Sequence, residues 1–321
     1  MNFNVKVGVG AVFKLVVRKA DTDEIVHETP EFHNLVLNTG LARMAVGTWI
    51  DRCCIGTGNS APVASQVALD SFLASTTATA SGAADSSGIQ VTTAPYYWLG
   101  RRTWRFAVGV ATGNISEIGL GWANSNLWNR ALIKDAVGNP TTITVLADEY
   151  LDVISEVRVY PQESTGSFNL VDKAGTVISA HTFIAKPILR YNSVYGAYWN
   201  PSAVRVGLDF GYTQGIRFSS AAMGNDNNNI IAEAELSGPT ITAGANSITA
   251  KKTVTSSEAN IGLHKSFQTY MSGLMCGGGS NQSGMNNVGC CYKWEVNPPI
   301  PKDAQTILTY SFTLAWGNYA S

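Results

Sequence analysis

The chain has 321 residues, only 14% of them charged, and its 22 Lys and Arg nearly balance 23 Asp and Glu for a formal net charge of −1. So sparse and even a charge offers no field to a polyanion, which excludes general nucleic-acid binding; no run of roughly 18 apolar residues is present, so no membrane insertion is expected. The length suits two domains of roughly 150 residues, each able to bury its own core.

Met1-Asn2-Phe3-Asn4-Val5-Lys6 lacks a charged region followed by a continuous apolar one, so a standard signal peptide is not expected and synthesis in the cytoplasm is. Val5, Val7, Val9, Ala11, Phe13, Leu15 and Val17 then fall on alternate positions, the period of a long half-buried strand. Asp21-Thr22-Asp23-Glu24 supplies turn chemistry, and Ile25-Val26-His27 starts the return strand of a hairpin. Residues 34–45 end in a helix candidate with Asn38 or Thr39 as N-cap. Residues 52–59 read as a strand entering a Gly-rich turn, 67–73 as a short helix, and 81–88 as a flexible loop.

Residues 96–110 return to strand, with Trp104, Phe106, Val108 and Val110 on one face and Arg101, Thr103 and Arg105 on the other. Further strands are expected at 115–122, 127–133 and 141–146, with a strong turn at 135–140. The last strand of this half sets Val153, Val157 and Val159 opposite Glu156 and Arg158, and 161–166 is the expected linker. Beyond it come strands near 168–178, 181–191 and 204–210, a loop tip at 225–229, a hairpin over 240–254 turning at Gly244-Ala245-Asn246, and a Gly-rich insertion at 276–289. In the final strand Leu308, Tyr310, Phe312, Leu314 and Trp316 alternate.

Landmarks recur between the halves. Ser-Glu-Ile-Gly-Leu at 116–120 is echoed by Ser-Glu-Ala-Asn-Ile-Gly-Leu at 257–263, Ile55-Gly56 by Val206-Gly207, and the Val153, Val157, Val159 face by Leu308, Phe312 and Leu314. The order is kept at offsets of roughly 150 residues, longer than the roughly 20–50 of a solenoid or propeller. The expected fold is all-β: two tandem β-sandwich-like modules, 1–161 and 162–321, arising by internal duplication, with few short helices.

Five cysteines, Cys53, Cys54, Cys276, Cys290 and Cys291, include two vicinal pairs, which suits reduced, packed thiols rather than a disulfide framework. None of His27, His33, His181 or His264 has zinc-site spacing to them, so no metal and no cofactor are expected. The 56–58 turn lacks the rest of a phosphate-binding motif. Asp148, Glu149 and Asp152 form the densest acidic cluster, fit either for a cation or paired-carboxylate site or for solvated acids before a strand. No nucleophile elbow or metalloprotease motif is present, so no catalytic residues are assigned and an enzyme is not expected. Tyr96, Tyr97, Trp98, Trp104, Trp122 and Trp128 crowd the first half, where core packing competes with a contact surface. Tyr191, Tyr195, Tyr198 and Trp199, set among Asn, Ser and Gly, form the candidate contact loop.

Several phrases resemble tailed-bacteriophage tail structural proteins (tail-fibre, tail-tip and minor tail proteins). They are Asn-Leu-Val-Leu-Asn-Thr-Gly-Leu at 34–41, Ile-Gly-Thr-Gly-Asn-Ser-Ala-Pro at 55–62, Ile-Ser-Glu-Ile-Gly-Leu-Gly-Trp at 115–122, Leu-Trp-Asn-Arg-Ala-Leu-Ile at 127–133, and the run from Gly138 to Val153. The resemblance covers about residues 30–161 and brings no catalytic residues with it. It implies a non-enzymatic virion component of the tail tip, baseplate, collar or fibre, made in the host cytoplasm. Its partners would be other tail proteins, further copies in cyclic symmetry, and a host-surface glycan or protein. In this view 1–161 anchors the chain and 162–321 diverges for assembly or host contact. Strands such as 5–17 would be hazardous edges in a lone chain, which an assembly covers. The alternative is a tail-associated glycan-binding or glycan-hydrolysing protein.

Overall fold

The structure, a computed structural model, describes residues 1–82, 85–189, 206, 216–224, 230–270, 274 and 291–319. It is nearly all β. The one helix among the described residues, Asn38–Arg43, has six residues. Its N-cap is Leu37, with no side-chain cap, rather than Asn38 or Thr39. The backbone explains the shift: Leu37 N–H donates to Trp128 O and Asn38 N–H to Ala64 O, so the entry is fixed by neighbouring chain.

A nine-stranded sheet forms one layer. Its order is Thr240–Ala243, Ser247–Val254, Leu308–Asn318, Asn2–Lys19, Glu149–Pro161, Tyr97–Phe106 and Ser86–Gln90, with the short Ile25–Glu28 and Phe32–His33 strands also on Asn2–Lys19. The alternation of residues 5–17 therefore marks an interior strand, antiparallel to Glu149–Pro161 and parallel to Leu308–Asn318. It is not an edge awaiting a partner; the chain covers it itself.

Two six-stranded sheets complete the core. In the first half, Leu35–Val36, Asn129–Leu132, Glu117–Ala123, Arg52–Gly56 and Phe72–Thr76 are neighbours in that order, with Asn126–Leu127 beside Glu117–Ala123. In the second half the order is Ser164–Val171, Val177–Pro187, Cys291–Lys302, Gly262–Tyr270, Ile216–Ser219 and Ala234–Leu236. A small pair joins Gly113–Ile115 to Ile143–Val145. One continuous apolar cluster holds residues from all three large sheets. Phe3 is fully buried and packs on Phe168, Phe183 and Phe267 of the second-half sheet at ring distances of 5.2, 5.2 and 5.5 Å. Burying such a side chain contributes about 1.5–3 kcal/mol.

Several local expectations give way to this framework. Val108 and Val110 are exposed rather than inward, because 107–112 is a turn in which Gly109 has φ +79 and Val110 N–H donates to Ala107 O. Residues 67–71 are not helical and Phe72–Thr76 is a strand; Val67 O and Ser71 O already accept from Leu127 and Thr57. Part of the expected 81–88 loop is the Ser86–Gln90 strand. In 161–166, Pro161 ends one strand and Ser164 begins the next, and Tyr292 Oη bonds both the N–H and C=O of Gln162 between them.

The halves repeat an order of strand pairing. In the large sheet, the hairpin of Ser86–Gln90 and Tyr97–Phe106 adds Glu149–Pro161, as the hairpin of Thr240–Ala243 and Ser247–Val254 adds Leu308–Asn318. In the small sheets, Phe72–Thr76, Arg52–Gly56, Glu117–Ala123 and Asn129–Leu132 run parallel in order to Ala234–Leu236, Ile216–Ser219, Gly262–Tyr270 and Cys291–Lys302, every pair antiparallel. The wording does not follow this order residue by residue. Val206 donates to Met44 O, while the strand in the place of Arg52–Gly56 is Ile216–Ser219. Ile118 is buried within a strand, whereas Ile261 precedes one.

Candidate contact surface

The outward face of the nine-stranded sheet carries paired charges and tyrosines. Alternation fixes this: the odd-numbered side chains of Asn2–Lys19 and Glu149–Pro161 fill the core, so the even ones face out. Asp152 lies opposite Arg105 and accepts from Nε and Nη2 at 2.7 and 2.6 Å. Glu156 lies opposite Arg101, accepts from it at 2.6 Å, and accepts from Arg158 Nε at 2.7 Å. The hydrogen bond to Asp152 raises the pKa of Arg105 further. Arg105 sits 4.3 Å over the ring of Tyr150 and Arg158 4.6 Å over that of Tyr97, cation–π contacts of about 0.5–1 kcal/mol each.

At one end of this face Tyr97, Tyr160 and Tyr319 form a cluster in which Tyr160 stacks on Tyr319 and Tyr97 meets Tyr160 at a tilt of 59°. Tyr160 and Tyr319 are 3.6 Å apart and nearly parallel, and Tyr97 meets Tyr160 at 5.2 Å. Gly8, opposite Tyr160, makes room: a Cβ there would fall 3.0 Å from Cδ2 of Tyr319. Burial raises the pKa of Tyr160, so its hydroxyl stays protonated. Tyr150, Tyr160, Asp152 and Glu156 are covered by their neighbours, so the groups this face leaves accessible include Arg101, which is exposed, and the half-buried Arg105, Tyr97 and Tyr319; tyrosine and arginine suit contact with a sugar or another protein. Among the crowded first-half aromatics, Trp98, Trp104 and Trp128 are fully buried core, and Tyr96 is exposed. Tyr160 and Tyr319 escaped the sequence reading because they stand alone; the available signal was the outward position of Tyr160 on Glu149–Pro161, with Tyr319 just past the end of Leu308–Asn318. The loop with Tyr191, Tyr195, Tyr198 and Trp199 lies outside the described residues.

All three acids of the cluster are ion-paired, Asp148 at an exposed position and Glu149 and Asp152 at buried ones. Lys19 binds Asp148 at 3.1 Å and Glu149 at 3.0 Å, and Asp152 is held by Arg105. Glu149 and Asp152 are buried, and Lys19 holds the Asp148 carboxyl below the usual range. His181 is bonded to Ser179 and Pro298 O, and His264 to Tyr310 and Ala259 O. Cys53, Cys54 and Cys291 are buried, while Cys276 and Cys290 lie outside the described residues. Among the described residues, no group of three or more His, Cys, Asp or Glu is placed to hold a metal.

The segments 55–62, 115–122 and 127–133 meet at a buried charged node. Glu117 and Arg130 are both fully buried, joined at 2.7 Å. Glu117 also accepts the backbone N–H groups of Gly58, Asp70 and Ser71 at 2.9, 3.0 and 2.8 Å. Arg130 donates to Gln66, Ser60 O and Asp70 at 2.9, 3.0 and 2.8 Å. The 56–60 turn is thus wrapped around an ion pair, and Gly58 is required because a Cβ would fall 2.4 Å from Glu117 Oε1. Ile118 pairs with Ala131, Val36 with Asn129, and Ile143 with Ile115, which ties the remaining phrases to the same unit. Sequence reading missed this node; its trace is a lone Glu and a lone Arg in otherwise apolar strands beside a Gly-x-Gly turn. No family model matches the chain, and no match was found among curated proteins or solved structures.

Proposed function

We propose that this chain is a non-enzymatic structural component of a tailed-phage virion, in the tail tip, baseplate, collar or fibre, acting in particle assembly and host attachment. The observation that carries the reading is the meeting of the resembling phrases 55–62, 115–122 and 127–133 at the node of Glu117 and Arg130, with those at 34–41 and 138–153 on strands paired beside them. Segments so used are scaffold: the buried charges they contain are spent on holding turns, and the shared wording is explained by packing rather than by chemistry on a substrate. The repeated order of strand pairing supports an origin by internal duplication. The outward tyrosine and arginine face supports docking to neighbouring tail proteins.

The cluster of Tyr97, Tyr160 and Tyr319 favours a second reading, glycan binding by the same tail component. Glycan hydrolysis has less behind it, since the acids at 148–152 are each bound to a cation. The test is mass spectrometry and imaging of gradient-purified particles from a phage that encodes the chain. The reading expects the full chain in tails at a fixed stoichiometry; particles that lack it overturn the proposal. Glycan-array binding that is lost in Tyr319→Ala would establish the second reading.

A further inference from the structure

The longest open edge among the described residues is Ser164–Val171, an eight-residue strand paired on one side only, with Val177–Pro187. The usual protections of such an edge are missing. Its sequence, Ser-Thr-Gly-Ser-Phe-Asn-Leu-Val, holds no proline and no charge, and no bulge interrupts it before Leu170. Thr165, Ser167, Asn169 and Val171 are exposed on one face, beside Ile178 and Ile184 of the neighbouring strand, also exposed. A cleft of about 350 Å³ opens beneath the other face, lined by Met1, Asn2, Asn4, Phe168 and Phe183.

We infer that this edge binds the same edge of a second copy of the chain, by antiparallel strand addition across a twofold axis. Charge selects this occupant and this direction. Glu163, 3.9 Å from Lys186 of its own chain, stands just before the strand, and Lys173 two residues after it, beyond Asp172, whose carboxylate accepts the N–H groups of Ala174 and Thr176; Glu163 and Lys173 are both exposed. Side chains keep their faces only if residues of equal parity meet. An axis through Phe168 meets that condition. It sets Ser167 against Asn169, Thr165 against Val171, and Glu163 of each copy against Lys173 of the other, so that opposite charges meet at both ends. A parallel pairing would instead set Glu163 on Glu163. The two Phe168 rings meet on the inner face, where each extends the aromatic contacts already made with Phe3 and His181. A closed twofold uses up both edges, so the contact stops at two copies and forms no fibre. The inference rests on the chemistry of this edge and is independent of any role in a virion.

The test is sedimentation velocity of the full chain over a range of concentrations. Wild type is expected to show a twofold species. Ser167→Lys with Asn169→Lys, on exposed positions that leave the fold intact by circular dichroism, should halve its mass. Glu163→Lys alone and Lys173→Glu alone should each weaken association about tenfold, since symmetry places like charges at both ends. The double variant carrying both reversals should restore it. A wild-type chain that stays monomeric overturns the proposal, as does a twofold species that survives the paired lysines or a double reversal that fails to recover.

Discussion

Arg130 Nε lies 2.7 Å from Glu117 Oε2, and neither side chain reaches solvent. The carboxylate also accepts three backbone N–H groups, so the pair clamps a turn as well as neutralising a charge. Glu117→Ala is expected to cost about 3–5 kcal/mol, the usual penalty for stranding one partner of a buried pair. Replacing both, as Glu117→Leu with Arg130→Met, should recover only part of that loss, because the N–H groups of Gly58, Asp70 and Ser71 stay unpaired. Urea titration of the three proteins measures this. Full recovery in the double variant would mean that the turn does not depend on the carboxylate.

Gly40 is the second point at which the scaffold tolerates no change. A Cβ there would fall 2.2 Å from Trp128 O and 2.5 Å from its Cα, and backbone cannot swing away as a side chain can. Gly40→Ala should destabilise the chain by about 1–3 kcal/mol or more, although alanine favours helix. Thermal melting checks the sign. A rise in Tm would show that the contact between helix and strand relaxes freely.

His264 gives the fold a pH dependence. Burial holds its pKa down at about 4, with Nδ1 2.6 Å from the Tyr310 hydroxyl and Nε2 2.8 Å from Ala259 O. The neutral ring accepts from the tyrosine and donates to the carbonyl. An unfolded histidine titrates near 6.5, so between that pH and about 4 the unfolded chain takes up a proton that the fold excludes. Stability from this group is therefore complete above pH 6.5 and falls by about 3 kcal/mol as pH drops to 4. His264→Gln should be less stable than wild type at pH 7 and lose less between pH 7 and 4.5. Urea midpoints at both pH values, compared as differences, separate this residue from the carboxylates.

Cys53 and Cys54 should be inert. Burial pushes the Cys53 thiol well up and that of Cys54 to about 12, so almost no thiolate exists at neutral pH. Iodoacetamide at pH 8 should leave Cys53 and Cys54 unlabelled in the native chain and label both in urea, as peptide mass mapping would show. Native labelling at Cys54 would place that strand at a surface.

Period-2 alternation made the long strands legible from sequence. Residues 5–17, the hairpin at 240–254 and the inward row of Leu308, Tyr310, Phe312, Leu314 and Trp316 stand as expected, because a strand with one face in a core must alternate. Neighbours were not legible. Nothing local marks Asn2–Lys19 as interior or says that Leu308–Asn318 lies beside it, since pairing is decided between distant segments. Residues 67–71 went wrong for the same reason: Leu127 and Glu117 lie far away in sequence and hold that backbone out of a helix. Tryptophan alone could not separate core from surface, and Trp98, Trp104 and Trp128 proved to be core because each follows the inward parity or packs beneath a turn. The charged node was hardest, since its parts come from positions 58, 70, 117 and 130.

The parallel pairing of Asn2–Lys19 with Leu308–Asn318 also governs when this molecule can finish folding. Asn2 meets Ser311, about 300 residues later in the chain, so during synthesis Asn2–Lys19 waits for Leu308–Asn318. Until then it can be joined by Ile25–Glu28, Phe32–His33 and Glu149–Pro161, while Phe3 and Val5 lack their covering partners. Such long-range closure makes folding slow and leaves an apolar edge open during synthesis. A premature stop before residue 308 would therefore unmask the centre of the nine-stranded sheet, and a nascent chain stalled there is the form most exposed to aggregation and most in need of a chaperone.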